Sequence, residues 1–105
     1  SSKGLSRSNS HTSKAKWVAM YGSISPEESE SHGLALLCHS QNFDAPQHIR
    51  TWDNGKMFFN YVPTQSKPFE IKAGQRIIQK YRIVAYSGLP NQNLLESLYK
   101  SYIDQ

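Results

Sequence analysis

The chain has 105 residues, which is enough for one small domain built around a single core. No apolar run approaches the roughly 20 residues of a membrane-spanning helix, and Cys38 is the single cysteine. We therefore expect neither a membrane protein nor a domain held by an intrachain disulfide. Lys3, Arg7, Lys14 and Lys16 account for the net charge of +4, because the later acidic and basic residues are equal in number.

The first element in chain order is a predicted disordered tail at residues 1–14, which is basic and rich in serine. Leu5 is its one large apolar residue, so the tail has little to contribute to a core. We favour a solvated, flexible tail, and the alternative is an arm that binds nucleic acid. Because no nucleic-acid-binding motif accompanies the basic residues, we expect no nucleic-acid partner.

Four short segments then have the patterns of β-strands, namely Lys16–Tyr21, Gly33–His39, Gln47–Trp52 and Met57–Val62. The second is apolar on both faces, which a buried helix also explains. Its seven residues, bounded by glycine and a turn-rich stretch, favour a strand. Asp53, Asn54 and Gly55 predict a tight turn before the fourth segment.

A second group of elements follows a proline-containing loop. Phe69–Lys72 and Gln75–Tyr86 are predicted strands, joined by a turn at Ala73 and Gly74. In the longer of the two, alternate residues share a face, so Tyr81 and Ile83 lie on one side of the predicted strand.

The last element is an amphipathic helix, predicted over residues 91–103. Its apolar positions repeat with helical spacing and form one stripe, made of Leu94, Leu95, Leu98, Tyr99, Tyr102 and Ile103. Asn91 or Asn93 can cap its first turn, and Glu96 follows Asn93 at the spacing of a capping box.

Strands that follow one another without helices between them pair antiparallel. We therefore predict an all-β fold, an antiparallel β-sandwich over residues 15–105 with one C-terminal helix. We expect it to be part of a larger supersandwich. Because so short a sandwich exposes strand edges, we expect a homo-oligomer or association with an N-terminal portion that this chain lacks.

The candidate site follows the most apolar strand. Alternation places His48, Arg50 and Trp52 on one strand face, where they can grip a polyhydroxyl ligand through hydrogen bonds and stacking. We predict His48 as a general acid or base and His39 as a second catalytic residue, with Asn42, Arg50 and Trp52 as ligand-binding residues. The alternative is that Arg50 and Trp52 stack on each other as surface packing.

Two other chemistries are weaker alternatives. A metal site would need His39, His48 and Asp44 to converge, but their spacing matches no strong metal motif, so we predict no metal and no cofactor. His32 cannot join His39, because seven residues of strand place them on opposite sides. Cys38 could be a nucleophile, although its place at the end of an apolar run is more typical of a buried small hydrophobe.

Three stretches, AKWVAMYG, HGLALLCHSQN and KAGQRIIQKYRIVAYSG, carry a family resemblance. With His48 and Arg50, they resemble the C-terminal part of a bacterial family often labelled "methane oxygenase PmoA", over residues 15–103. The matching positions are Trp17, Gly22, His32, Gly33, His39, Asn42, Pro46, His48, Arg50, Gly74, Tyr81, Arg82 and Gly88. The chain departs from the family at Cys38 and Ser40, where the family has an acidic residue and a proline.

The resemblance implies an uncharacterised β-sandwich protein encoded near carbohydrate-catabolism genes. A membrane methane monooxygenase is not expected, because the chain has no span that could cross a bilayer. We expect a protein that binds or processes a carbohydrate in bacterial glycan catabolism, in the periplasm or secreted. The alternative is a non-catalytic β-sandwich module for binding or assembly.

Overall fold

The computed structural model describes residues 1–4, 11–22, 31–51 and 59–104. Its strands and helix, in chain order, are β1 (Trp17–Gly22), β2 (His32–Cys38), β3 (His48–Thr51), β4 (Phe59–Val62), β5 (Tyr81–Ser87) and α1 (Gln92–Ile103). All strand pairs are antiparallel, and they form a three-stranded sheet in the order β1-β2-β5 and a two-stranded sheet of β3 and β4.

The three-stranded sheet has β2 at its centre, which explains why that segment is apolar on both faces. On one face, Trp17 lies opposite Leu37 across β1 and β2, and both pack against α1. The helix contributes the buried side chains of Leu95, Tyr99 and Tyr102 to this main core.

The opposite face of that sheet holds a smaller cluster. Val18 packs there with Ala15 and with Ile49 of β3, and Leu36 and Tyr61 lie at its margin. The two-stranded sheet therefore contacts the three-stranded sheet on the side away from the helix.

The predicted fold is confirmed at the level of antiparallel β-structure with one C-terminal helix. A β-sandwich is not confirmed, because the two sheets are small and open. On the face opposite the helix, Leu34 and Ile83 remain exposed beyond the reach of the small cluster.

One of the two asparagines that were predicted to cap the helix does so. The side chain of Asn91 accepts a hydrogen bond from the backbone N–H of Leu94 at 3.1 Å, so Asn91 is the N-cap. Glu96 does not close a capping box with Asn93. Its Oε1 instead accepts a hydrogen bond from Trp17 Nε1 at 2.9 Å, which joins the helix to β1.

The predictions for residues 69–86 are partly wrong. No strand forms at Phe69–Lys72, and the predicted long strand begins only at Tyr81. The turn between them is confirmed, because Gln75 N–H donates to the carbonyl of Lys72 and Gly74 has a φ of 81°. Alternation alone favours a strand before Tyr81, but a strand also needs a neighbouring strand, and no described strand pairs with residues 75–80. Lys80 bonds instead to the N–H of His39 and to the side chain of Asn42.

Part of the predicted tail contacts the fold. Thr12 N–H donates to the carbonyl of Ile49, Ile49 N–H donates to the carbonyl of Ser13, and Lys14 forms a bridge with His48. Residues 11–14 thus lie along the edge of β3 that faces away from β4. The division of the chain at residue 14 stays a prediction, and residues 5–10 lie outside the described residues.

In the portion of the chain that the structure describes, no helix is both long and apolar enough to cross a membrane.

Candidate functional site

The loop between β2 and β3 positions the predicted site residues. It is closed by two backbone hydrogen bonds, from Asn42 N–H to the carbonyl of His39 and from Ala45 N–H to the carbonyl of Asn42. Asp44 adopts a left-handed conformation with φ 55°, which aspartate tolerates better than most residues. The bond from Ala45 to Pro46 is cis.

His39 lies inside the protein, on the helix side of the sheet. Its Nδ1 accepts a hydrogen bond from the backbone N–H of Gln41 at 3.1 Å. Its ring packs edge-on against Tyr102 of α1, with the ring centroids 5.0 Å apart. His39 therefore acts in the structure as a buried packing residue, and its catalytic role stays a prediction.

Asn42 is also buried, and its side chain copies the hydrogen bonding of a β-strand. Its Nδ2 donates to the carbonyl of Lys80 and its Oδ1 accepts from the N–H of Lys80, both at 2.7 Å. A third contact joins Nδ2 to Cys38 Sγ at 3.4 Å. Both polar atoms of the Asn42 side chain are therefore hydrogen-bonded within the protein, and they hold Lys80 in place just before β5.

A buried polar cluster that the sequence did not reveal lies beside Asn42. Gln47 is fully buried, and its Nε2 donates to the carbonyl of Phe43 at 2.8 Å and to Gln79 Oε1 at 3.0 Å. The hydroxyl of Tyr81 donates to Gln47 Oε1 at 2.5 Å. More than 30 residues separate Gln47 from Gln79 and Tyr81 along the chain, so no local pattern could have found this cluster.

Cys38 belongs to the same buried surroundings. Burial raises the pKa of its thiol, and hydrogen bonds from the backbone of Gln47 and the side chain of Asn42 oppose that effect. A raised pKa favours the protonated thiol, and Cys38 is buried, as expected from the sequence for a small hydrophobe at the end of an apolar run.

Asp44 stands where the loop meets two other segments. Ser66 Oγ donates to Asp44 Oδ2 at 2.6 Å, and the ammonium groups of Lys14 and Lys67 lie 3.2 and 3.6 Å from Oδ1. These partners lower the pKa of the Asp44 carboxyl, first through the hydrogen bonds of Ser66 and Lys14 and then through the charges of both lysines. The carboxylate is engaged in holding the loop.

His48 and Arg50 lie elsewhere, on the surface of the two-stranded sheet. Gln47 and Ile49 point inward, so alternation turns His48 and Arg50 to the opposite side. In the register of β3 and β4, His48 lies opposite Val62 and Arg50 lies opposite Asn60. We call the surface formed by His48, Arg50, Asn60 and Val62 the outer face.

The outer face is open to solvent and polar. Arg50 and Asn60 are exposed, while His48 and Val62 are half-buried. Nδ1 of His48 donates to the carbonyl of Thr12, so this nitrogen carries the proton. That tautomer leaves Nε2 of the neutral ring as a hydrogen-bond acceptor.

The structure thus separates the predicted residues into two groups. His39 and Asn42 lie in the interior and bond to the protein itself, whereas His48 and Arg50 share the outer face. Trp52, the fifth predicted residue, lies outside the described residues. Asn60 was missed by the sequence reasoning, although the alternation of β4 could have indicated it.

The outer face offers the hydrogen-bonding groups of His48 and Arg50 to polar ligands. Lys14 lies beside His48 across a β-bridge, and its ammonium group is 3.2 Å from Asp44 Oδ1. No group of three or more His, Cys, Asp and Glu side chains that could hold a metal ion occurs among the residues described.

A comparison with protein families matches residues 1–100 to a family described as "Family of unknown function (DUF6807)". No curated protein and no solved structure matches the chain.

Proposed function

The chain belongs to DUF6807, a family of unknown function, and we propose that it binds a carbohydrate through the outer face. The observation that carries this proposal is the register of β3 and β4, which sets Arg50 opposite Asn60 on an exposed surface. A guanidinium, a carboxamide and an imidazole on one surface offer hydrogen-bond donors and acceptors to hydroxyl groups.

The ligand class has two supports. The strands fix the backbone that carries these side chains, so binding has to order the side chains alone and costs less conformational entropy than it would on a mobile loop. The resemblance to a sandwich family encoded near carbohydrate-catabolism genes points to the same ligand class. The proposed protein is a binding module of glycan catabolism without a reaction of its own.

The charge of the outer face makes the ligand more specific. Arg50 carries a positive charge, so an oligosaccharide that carries carboxylates gains charge-assisted hydrogen bonds from the guanidinium, which are roughly twice as strong as neutral ones. We expect uronic-acid oligosaccharides to bind more tightly than neutral ones of the same length. We also expect their affinity to fall as salt is added.

Calorimetric titration of the chain with neutral and acidic oligosaccharides tests this proposal. Arg50→Ala removes hydrogen bonds from a charged group, each worth about 1.5–3 kcal/mol, so the affinity should fall at least tenfold. The matched control is Arg76→Ala, because Arg76 is also an exposed arginine and lies outside the outer face. Unchanged binding by Arg50→Ala, or no binding of any oligosaccharide to the wild type, would reject the proposal.

Catalysis is tested in the same samples. Chromatography of each bound oligosaccharide after long incubation should recover it intact. Release of shorter products by the wild type but not by His48→Ala would favour the enzymatic alternative, with His48 as its acid or base.

An assembly role is a second candidate function, favoured by the exposed side chains of Leu34 and Ile83 on the sheet face away from the helix. The same surface is where further strands could complete the β-sandwich that we propose for the assembled protein.

A further inference from the structure

The strand β5 forms one edge of the three-stranded sheet. In the described part of the chain its one strand neighbour is β2. The side of β5 that faces away from β2 therefore presents backbone N–H and C=O groups, which another strand can pair with.

This edge has few of the features that usually prevent strands from associating. β5 is seven residues long and contains no proline. Its one charged residue, Arg82, has its guanidinium 4.6 Å from the centre of the Tyr102 ring in the chain's own helix. Ile83 lies in the middle of the strand and is 70% exposed.

The exposed apolar side chains around β5 are distributed symmetrically. Ile77, which is 38% exposed, lies six residues before Ile83, and Leu89, which is 72% exposed, lies six residues after it. Opposed residues of antiparallel strands point to the same face, so a two-fold axis between the strands sets one residue opposite its own copy. An axis at Ile83 sets the two Ile83 side chains beside each other and brings Ile77 of one copy toward Leu89 of the other. Such an isologous arrangement is self-complementary, so the pattern specifies a second copy of this chain as the partner.

The charges agree with an antiparallel pairing. Lys72, Arg76 and Lys80 are exposed in the segment that precedes β5. Antiparallel pairing would place the two copies of this basic segment at opposite ends of the paired strands. Seven residues of strand separate those ends by roughly 20 Å, which is beyond the screening length of about 8 Å at physiological salt.

We propose that β5 pairs antiparallel with β5 of a second copy and joins the two three-stranded sheets into one continuous sheet. The pairing leaves the outer face free, because β3 and β4 belong to the other sheet. A dimer then carries two copies of the proposed carbohydrate-binding surface, which raises its avidity for a polymeric ligand. The dimer does not depend on the proposed function.

Size-exclusion chromatography with light scattering on the 105-residue chain tests the pairing. The wild type should have twice the chain mass of 12.0 kDa. Ile83→Lys puts a charge in the middle of the edge and should give the monomer. Leu94→Lys is the matched control, because Leu94 is 54% exposed on α1 and should leave the dimer intact.

Hydrogen exchange of the wild type gives a second measurement that needs no variant. Amides of β5 should exchange more slowly as the protein concentration rises, while those of β4 should not change. A monomeric wild type, a dimer that survives Ile83→Lys, equal loss of the dimer in both variants, or β5 exchange independent of concentration would overturn the proposal.

Discussion

At the scale of single residues, Gly33 of the central strand β2 lies very close to atoms of both neighbouring strands, β1 and β5. A Cβ at this position would lie 2.5 Å from the carbonyl oxygen of Met20 and 2.5 Å from the hydroxyl oxygen of Tyr86. The first of these atoms is backbone, so a side chain at residue 33 would have to move a paired strand. The glycine is required by its surroundings within the sheet.

Gly33→Ala should therefore destabilise the protein by about 1–3 kcal/mol, as overpacking commonly does. Chemical denaturation measures the change. The control is Gly22→Ala at the end of β1, where a Cβ would meet nothing within 4 Å. Equal stability of Gly33→Ala and the wild type would show that β1 and β5 do not enclose residue 33 as described.

Asp44 makes the stability of the loop depend on pH. Its carboxyl has a lowered pKa in the folded protein, so its contribution to stability is present above the ordinary pKa of about 4. That contribution is lost as the pH falls through the lower, folded value. Asp44→Asn keeps a residue that tolerates the left-handed conformation but removes the charge.

We expect Asp44→Asn to unfold at lower denaturant concentration than the wild type at pH 7, and the difference to shrink at acidic pH. Unfolding midpoints at a series of pH values measure it. A difference that does not vary with pH would mean that the ion pairs with Lys14 and Lys67 do not stabilise the fold.

At the scale of elements, two side chains join segments that are distant in the sequence. Asn42 replaces a strand partner for Lys80, and Glu96 joins α1 to Trp17. The substitutions Asn42→Ala and Glu96→Ala each remove one of these connections.

Asn42→Ala should destabilise the protein by about 1–3 kcal/mol, because it removes the buried amide that bonds to the N–H of Lys80 and shares the C=O of that residue with the N–H of His39. Denaturation of this variant is compared with Asn60→Ala, an exposed asparagine whose loss should stay within about 0.5 kcal/mol. If Asn42→Ala is as stable as the wild type, the hydrogen bonds of Asn42 do not stabilise the fold, and its predicted ligand-binding role becomes the better explanation.

Glu96→Ala should lower stability by about 1.5–3 kcal/mol, since it removes a charged acceptor from the indole N–H of Trp17. Glu96→Gln keeps an acceptor oxygen and should recover much of the loss. The indole proton resonance of Trp17 reports the bond directly, and an unchanged resonance in Glu96→Ala would contradict it.

The sequence predicted the elements whose signals are local. The apolar stripe of the helix has the spacing of one helical face, and Asn91 was one of two expected caps. Strand β2 was predicted within one residue at each end. Residues 75–80 were wrongly predicted as strand, because alternation gives the pattern of a strand but does not supply its neighbour.

In the candidate site, too, local patterns predicted some features and tertiary packing decided the others. Period-two alternation placed His48 and Arg50 on one face of a strand, and the structure has them there. It could not show that His39 turns toward Tyr102 of the helix, or that Gln47 meets Gln79. Those contacts join residues more than 30 positions apart, and only tertiary packing decides them.

At the scale of the whole molecule, the two proposed functions, carbohydrate binding and self-association, belong to two separate surfaces. We propose that the outer face of the small sheet binds a carbohydrate and that the β5 edge of the larger sheet binds a second copy. The helix covers one face of the larger sheet. Residues 11–14 lie along β3, so the segment that carries Lys14 also supports the strand of His48 and Arg50.

The most direct test of the outer face is a nuclear magnetic resonance titration of the isotopically labelled chain with an acidic oligosaccharide. We predict that the largest shifts belong to His48, Arg50, Asn60 and Val62, and that Arg50→Ala abolishes them while Arg76→Ala does not. Shifts concentrated at any other surface, or no shifts at all, would contradict the account.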